Sequence, residues 1–405
     1  MAYIVFVNPA ILRDAGMPVA GVFAATCVSA GFATILMGIV ARYPLALAPG
    51  MGLNAYFTYT VVKGMGVPWE TALGAVFLSG VAFLILTLVG VRQWIMAAIP
   101  AELYAAVSAG IGLFIAFIGL RNAGIVKPDA ATMVTLGNLR DPNTALAVFG
   151  ILAIVTLQAW NVRAAILLGI LATTGLGAAL GLVHWQPQQY SWADISATMF
   201  HLNIRAAMGL GLLEIVFVFL FVDFFDNVGT LMAVSRKAGL IGSDNKIPRV
   251  TQILLTDATA TIAGSLAGTT TVTCYVECAA GVAAGGRTGV TSIVTGLLFI
   301  LTLFVAPLIG AVPAAATAPA LVIVGGLMMS ALAEIPWDDV CVAFPAFLTM
   351  VTIPLTFSIA NGLGCGIISY VVIHVTRGHW RRVPLAAYVL AVLLTVRFIY
   401  IGSHA

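Results

Sequence analysis

The sequence predicts an all-α polytopic membrane protein with about fourteen transmembrane helices, and three observations lead to this prediction. Hydrophobic residues make up 61% of the 405 residues and charged residues only 8%, whereas a soluble protein carries about 25% charged residues. The mean hydropathy is +1.09. The apolar runs are long and nearly continuous, which favours helices, because the strands of a membrane barrel would alternate apolar and polar residues.

The predicted spans form two sets of seven on either side of the polar loop 184–208. The first run, Met1–Leu12, is shorter than the roughly twenty residues that cross a bilayer, so we expect helix 1 to be truncated. A last apolar stretch, 384–400, carries Arg397 and is expected to lie at the membrane interface. The other spans are predicted at 19–41, 44–62, 71–91, 101–120, 144–160, 164–183, 212–234, 250–267, 270–285, 289–310, 317–333, 341–356 and 358–376.

Basic residues predict the orientation of these spans. With a cytoplasmic N-terminus, more of the basic loop residues lie inside than outside, as the positive-inside rule requires. Seven is an odd number, so the second half would enter the membrane with inverted topology, as in many secondary transporters. The inside residues are Arg42, Arg92, Arg163, Arg236, Lys237, Lys246, Arg249, Arg287, Arg377, Arg381 and Arg382, and the outside residues are Arg13, Lys63, Arg121, Lys127, Arg140 and Arg205.

Two segments interrupt the helical pattern at corresponding places in the two halves. Proline and glycine oppose a continuous helix in Pro44–Asn54, and a β-branched run does so in Gly268–Glu277. Interrupted helices expose backbone groups that are tolerated only beside protein or a cavity. A matched pair of such segments therefore indicates a binding site near the midplane of the membrane.

Carboxylates lie in the middle of the span 212–234. Asp226 and Asn227 follow Asp223 by three and four residues, which places all three on adjoining parts of one helix face. A charge at the centre of a membrane helix costs at least about 2.5 to 3.5 kcal/mol and usually marks a substrate or ion path. The alternative is a buried polar patch that bonds a neighbouring helix for packing alone.

The interrupted segments supply further candidates. Glu277 follows the second segment and Asn54 holds the matching place in the first, where Gly52 permits a close approach of the backbone. An amide both donates and accepts hydrogen bonds, as the binding of a base requires. Helix capping by Glu277 or Asn54 is the alternative. For Asp257, which lies among hydroxyl residues, we favour a structural role.

Several other functions find no support in the sequence. Gly281–Thr288 resembles a phosphate loop but has arginine where lysine is required. The histidines and cysteines lack metal-ligand spacing, and there is no nucleophile–base arrangement, so we expect no metal, no cofactor and no enzyme activity. The net charge of +3 is too small and too dispersed for nucleic-acid binding.

Long motifs resemble one transporter family. They are Ala48–Phe57, Phe221–Thr230, Thr256–Thr261, Thr269–Cys278, Pro345–Thr349 and Pro354–Gly362. In this order they are similar to the azaguanine-resistance (AzgA-like) type of hypoxanthine/guanine permease, a branch of the nucleobase–ascorbate (nucleobase:cation symporter 2) superfamily. The resemblance covers nearly the whole chain. The family has residues before the position of Met1, including the first half of helix 1.

The resemblance implies a fold of two inverted seven-helix repeats with two half-helices and short extended segments at the midplane. A core domain would comprise 1–98 (helices 1–4) and 184–310 (helices 8–11). A gate domain would comprise 99–183 (helices 5–7) and 311–405 (helices 12–14 and the C-terminal apolar segment). The resemblance further implies proton-coupled uptake of purine bases by elevator-like alternating access.

The resemblance also implies roles for individual residues. Asn54, Asp223 and Glu277 would line the purine site, Gly52 would shape it, and Asp226 would support transport. From the residues themselves, Tyr275 and the phenylalanines around Asp223 are expected to stack on the purine ring. Burial disfavours a charged carboxylate, so protonation of Asp223 or Glu277 would link proton entry to substrate movement, and the sequence does not choose between them.

The predicted function is therefore a purine permease for hypoxanthine, guanine and adenine. Its partners would be the purine, a proton and the lipid bilayer, with a homodimer as one candidate assembly. The predicted location is a bacterial inner membrane, with both termini in the cytoplasm. Two alternatives stay open: a uracil or xanthine permease, and an anion channel or exchanger on the same architecture. An anion site would be basic or neutral, which the central acids argue against.

Overall fold

The computed structural model describes residues 1–90, 101–182, 192–209, 213–240, 247–275, 277–304 and 312–401. Over these ranges the chain is mainly helical, as the sequence predicts. The helices are α1 (Ile4–Arg13), α2 (Val19–Leu36), α3 (Met51–Ala55), α4 (Trp69–Val89), α5 (Ala101–Asn122), α6 (Pro142–Ala159), α7 (Ala165–Ala179), α8 (Leu213–Ala238), α9 (Val250–Ala267), α10 (Cys278–Ala283), α11 (Gly289–Leu301), α12 (Ala314–Met328), α13 (Val340–Thr356), α14 (Ile359–Thr376) and α15 (Leu385–Ile401).

The described ranges also contain four short β-strands, two π-helical stretches, two 3₁₀ turns and two single helical turns. The strands are β1 (Leu47–Pro49), β2 (Val126–Asp129), β3 (Met133–Leu136) and β4 (Val272–Cys274), and they form the antiparallel pairs β1–β4 and β2–β3. The π-helical stretches Met37–Ala41 and Tyr56–Gly64 extend α2 and α3. The remaining short elements are the 3₁₀ turns Met329–Glu334 and Trp380–Arg382 and the single helical turns Trp192–Ile195 and Ile204–Ala207.

Membrane-spanning helices occur where the sequence predicts them. Within the described ranges, six helical stretches are long and apolar enough to cross a bilayer. Shorter apolar helices, among them α1, α7 and α13, occupy other predicted spans. The six long stretches are Val19–Ala41, Trp69–Val89, Leu103–Asn122, Pro142–Ala159, Ala314–Glu334 and Ile359–Thr376.

The chain divides into two compact units. One unit consists of Met1–Leu84 and Ile115–Val324, and the other of Ile85–Phe114 and Gly325–Ala405. The first unit contains both predicted midplane segments and the helix that carries Asp223. The division into core and gate domains stays a prediction.

Local sequence explains several helix ends. Asp141 caps α6 by accepting hydrogen bonds from the backbone N–H groups of Asn143 and Thr144, at 3.0 and 3.2 Å. Ser358 caps α14 in the same way through the N–H of Asn361. At its other end, α9 stops at Gly268, whose φ of +97° lies in the left-handed region that glycine tolerates.

Glycines allow α2 and α11 to pack closely. A side chain on Gly296 would begin 2.7 Å from the carbonyl oxygen of Gly31, and one on Gly31 would begin 2.6 Å from Ile300. Small residues at such crossings let helix backbones approach within the membrane. This contact fixes α2 beside the second half of the chain, next to the interrupted segments.

Candidate substrate and proton site

The two interrupted segments meet through their strands. β1 and β4 pair in antiparallel register, with Leu47 opposite Cys274 and Pro49 opposite Val272. Beyond the strands, the N–H of Gly50 donates to the carbonyl oxygen of Thr271 at 2.9 Å. Each strand thus satisfies the backbone groups that the other exposes, which an isolated extended segment in a bilayer could not do.

A short helix follows each strand, α3 after β1 and α10 after β4. Asn54 lies in α3 and is fully buried, whereas Gly52 in the same helix is partly exposed. Glu277 directly precedes α10 and is partly exposed. Of the two candidates predicted from matching positions, Asn54 therefore lies within one short helix and Glu277 directly before the other.

The predicted acids lie on α8, which runs unbroken through them. Asp223 is 2% exposed, and its Oδ2 atom accepts a hydrogen bond of 3.5 Å from the hydroxyl of Thr261 on α9. The same hydroxyl lies 3.2 Å from the carbonyl oxygen of Val272 in β4. Thr261 therefore connects Asp223 to the second interrupted segment.

Asp226 lies on the neighbouring part of α8 and faces a different partner. It is partly exposed and interacts electrostatically with Glu277. Helix α8 contacts β4, α3 and α10. The structure thus brings Asp226 and Glu277 into one electrostatic cluster, and Asp223 adjoins it through β4.

Two tyrosines hold the second segment in place. The hydroxyl of Tyr3, which directly precedes α1, donates to Oε1 of Glu277 at 2.5 Å. The hydroxyl of Tyr275 donates to the backbone oxygen of Pro49, so this side chain joins the two segments. Stacking of Tyr275 on a purine ring stays a prediction.

The phenylalanines near Asp223 pack on one another and on α3. Phe219 contacts Tyr56 edge-on, with ring centroids 5.2 Å apart, and Phe221 contacts Phe217 at 4.8 Å. Phe219, Phe221 and Val222 are buried. Helix periodicity places Phe219 and Val222 on the side of α8 that carries the carboxylates, and Phe217 and Phe221 on the opposite side.

The sequence analysis missed a set of buried polar residues around Asn54. They share hydrogen bonds that join α1, α2, α3 and the turn before β4, and they are Asn8, Thr26, Thr269 and Thr270. Their sequence signal is a polar side chain within an apolar run, most clearly at Asn8.

Two further buried polar residues adjoin the acids. Asn227 is fully buried, and neither atom of its amide has a hydrogen-bond partner in the part of the chain that the structure describes. Asp257 on α9 is fully buried and interacts electrostatically with Cys274. Cys274 interacts in the same way with Asp223 and Asp226. The acids of α8 and α9 therefore lie close to β4.

A second polar cluster lies at the end of α1. The hydroxyl of Tyr59 donates to Asp14 at 2.8 Å and accepts from the amide of Asn122 at 3.0 Å. A cavity of about 190 Å³ opens beside it, lined also by Arg13 and Thr317. None of the predicted site residues lines this cavity.

These features match a known group of membrane proteins. A family model described as the permease family, of the xanthine/uracil permease type, matches residues 1–364. The chain belongs to the xanthine/uracil permease family. Members of this family are transporters, so this permease is a multi-pass membrane transporter and not an enzyme.

Characterised relatives align with nearly the whole permease. The guanine/hypoxanthine permease PbuG of Bacillus subtilis is 44% identical over 417 residues, covering 99% of this chain and 94% of that protein. The adenine permease AdeP of Escherichia coli is 42% identical over 404 residues, covering 100% of this chain and 91% of that protein.

Solved structures share the fold at low sequence identity. The transmembrane domain of the cyanobacterial bicarbonate transporter BicA aligns with a TM-score of 0.65 at 14% identity, covering 90% of this permease and 94% of that chain. The fold is therefore the one with two inverted repeats of seven helices, as the sequence predicts. At this identity the likeness concerns the fold alone.

Proposed function

We propose that this permease imports the purine nucleobases hypoxanthine, guanine and adenine by proton symport with elevator-like alternating access. The observation that carries the proposal is the group of buried acids and amide around the paired strands. A purine presents ring N–H groups, ring nitrogen acceptors and, in hypoxanthine or guanine, a carbonyl oxygen. A carboxylate accepts hydrogen bonds from the ring N–H groups. An amide N–H group donates to a ring nitrogen or to the carbonyl oxygen.

The named relatives support a purine as the substrate. Proteins called guanine/hypoxanthine permeases and adenine permeases align at 42–44% identity over their full length. Because adenine and oxo-purine permeases align equally well, overall identity does not favour one purine. We therefore propose all three bases as substrates.

Proton coupling is supported by the arrangement of the carboxylates. Burial disfavours a charged carboxylate, and two interacting carboxylates favour sharing a proton between them. Asp226 and Glu277 interact in this way and are both partly exposed. Asp223 is more deeply buried than either of them.

The strand pair supports movement of the site as one body. β1 and β4 come from opposite repeats, and their hydrogen bonds tie both interrupted segments together. We propose that the strands, α3, α8 and α10 carry the substrate across the membrane as a unit. We further propose a location in the bacterial inner membrane with cytoplasmic termini, as the basic loop residues predict. Cross-linking in membranes would test the homodimer.

Uptake of radiolabelled hypoxanthine tests the proposal in a bacterium that lacks its own purine permeases. The wild-type chain should accumulate hypoxanthine, and excess guanine or adenine should compete, whereas uracil and xanthine should not. Asp223→Ala and Glu277→Ala should abolish uptake while both proteins remain in the membrane. Glu334→Gln, which changes an exposed carboxylate outside the site, should take up hypoxanthine normally.

Three outcomes would contradict the proposal. Competition by uracil or xanthine alone would identify a different nucleobase permease. Ionic current without a purine in reconstituted vesicles would indicate an anion channel or exchanger. Accumulation in vesicles that does not respond to an imposed pH gradient would exclude proton symport.

A further inference from the structure

Asn8 is a buried polar side chain that the predicted mechanism does not use. It lies in α1 and is 0% exposed. Burial of an amide is costly unless its donors and acceptor are hydrogen-bonded. All of these groups on Asn8 have partners, and the partners determine which way its amide faces.

Thr26 fixes the first direction. Its hydroxyl donates to the carbonyl oxygen of Val22, one turn earlier in α2, at 2.6 Å. A hydroxyl has one proton to donate, so toward Asn8 the oxygen of Thr26 can only accept. Nδ2 of Asn8 lies 2.7 Å from that oxygen and 3.0 Å from the hydroxyl of Thr269. Both amide hydrogens of Asn8 are therefore used.

Asn54 receives its orientation from Asn8. The oxygen of Asn8 faces α3 and accepts from Nδ2 of Asn54 at 2.5 Å. The oxygen of Asn54 then faces the other way and accepts from the hydroxyl of Thr270, just before β4. In this series of hydrogen bonds, each group determines the orientation of the next side chain. The series runs from the backbone of α2 to Thr270 in the second interrupted segment.

What Asn54 can still offer a ligand follows from this count. Its oxygen has accepted from Thr270, and one of its two amide hydrogens is bonded to Asn8. Among the bonds formed within the described ranges, one N–H group of Asn54 stays available for donation, and one lone pair of its oxygen stays on the side that faces Thr270. Had the amide faced the opposite way, Asn54 would place two N–H groups toward Thr270 and its oxygen toward the acceptor on Asn8, which repels it.

We propose that Asn8 is a positioning residue that fixes the amide of Asn54 so that Asn54 donates a hydrogen bond to an acceptor atom of the purine. This rests on the proposed function. Asn54 then donates a hydrogen bond to an acceptor atom of the purine, and the carboxylates accept hydrogen bonds from the N–H groups of the purine. Thr26 takes part by setting the orientation of Asn8.

Substrate analogues that lack one acceptor test this inference. The probes are 3-deazahypoxanthine, which lacks N3, 7-deazahypoxanthine, which lacks N7, and purine, which lacks the 6-oxo group and with it the N1–H donor; a loss seen with purine is assigned to Asn54 only where the variants below remove it. Each is measured as a competitor of labelled hypoxanthine uptake. In the wild-type chain we expect one of them to compete at least tenfold more weakly than hypoxanthine, because the N–H of Asn54 would then lose its partner.

Two kinds of variant then separate positioning from stability. In Asn8→Leu and Thr26→Val, the amide of Asn54 is no longer held, and the discrimination between hypoxanthine and that analogue should fall to within about threefold. Thr26→Ser keeps the hydroxyl and should keep the discrimination. Thr173→Val removes a buried hydroxyl that bonds one turn back in α7, at 2.7 Å, and should also keep it.

The outcomes distinguish this inference from the proposed function. A wild-type chain that takes up no purine overturns the proposed function and this inference with it. A wild-type chain that imports hypoxanthine but discriminates against no analogue overturns the inference alone. So does unchanged discrimination in Thr26→Val, which keeps the test decisive if Asn8→Leu does not fold.

Discussion

The two interrupted segments have the same order of secondary structure but carry different polar side chains. Each consists of a three-residue strand and a short helix, and each repeat supplies one. The first carries the amide of Asn54, fully buried and bonded on both sides. The second carries the carboxylate of Glu277, partly exposed and held by Tyr3. A repeated architecture thus places an amide in one half and a carboxylate in the other.

The largest effect should come from removing the charge of the second segment. Glu277→Gln keeps the shape of the side chain but cannot carry a proton, so accumulation of hypoxanthine against its gradient should fall by about 100-fold. Exchange of labelled for unlabelled hypoxanthine across vesicles should persist, because it needs no net proton movement. Accumulation that survives in Glu277→Gln but fails in Asp223→Asn would assign the proton to Asp223.

A second test compares Gly50, which precedes α3 in the first segment, with Gly268, which ends α9 at the start of the second segment. Gly268 has a φ of +97°, and an added side chain would begin 2.6 Å from the carbonyl oxygen of Thr198. Gly268→Ala should lower the free energy of unfolding by about 3 kcal/mol. Gly50 has a φ of −71°, and the nearest contact of its added side chain would be a methyl group of Thr273 at 3.0 Å, so Gly50→Ala should cost less than about 1 kcal/mol.

Thermal unfolding in detergent, monitored by circular dichroism, measures both variants. Similar Tm values for Gly50→Ala and Gly268→Ala would contradict this expectation, because they would show that the backbone at both glycines is under the same constraint. Uptake by Gly50→Ala should remain within about twofold of wild type.

A smaller effect is expected at the contact between Tyr3 and Glu277. Tyr3→Phe removes one hydrogen bond to a carboxylate and should raise the KM for hypoxanthine about tenfold, with little change in kcat. Tyr59→Phe is the matched control, since it removes a tyrosine–carboxylate bond of 2.8 Å to Asp14 outside the segments. An equal rise in KM for both variants would mean that Tyr3 has no special relation to the second segment.

The smallest effect is expected within β4 itself. The hydroxyl of Thr273 is buried and has no hydrogen-bond partner among the residues described by the structure. Thr273→Val should therefore leave the free energy of unfolding unchanged within about 0.5 kcal/mol. Thr270→Val, which removes the partner of Asn54, should cost about 1–3 kcal/mol. Loss of uptake in Thr273→Val at normal stability would show that the substrate uses that hydroxyl.

The sequence predicted the plan of the fold and the residues that carry obvious chemistry. Proline, glycine and β-branched residues marked both interrupted segments, and hydrophobicity located the spans to within a few residues. Acids within apolar helices are costly enough to stand out, so Asp223, Asp226 and Glu277 were identified before their surroundings were known.

The partners of those residues could not be predicted in the same way. Tyr3 bonds Glu277 across 274 positions of the chain, and Asn8 bonds Thr269 across 261. Neutral polar residues cost less in a membrane helix than charges, so a single asparagine or tyrosine in an apolar run gives a weak signal. Their roles depend on which side chains meet in three dimensions, and no local pattern records that.

The pairing of β1 with β4 has a consequence for how the molecule is made. Tyr275 bonds the backbone of Pro49 across 226 positions, so the ribosome must synthesise the chain through β4 before the first strand acquires its partner. Until then the first strand lacks the partner that satisfies its backbone groups, and hydrocarbon cannot replace those hydrogen bonds. We therefore expect this stretch to enter the interior of the membrane only after β4 has been made.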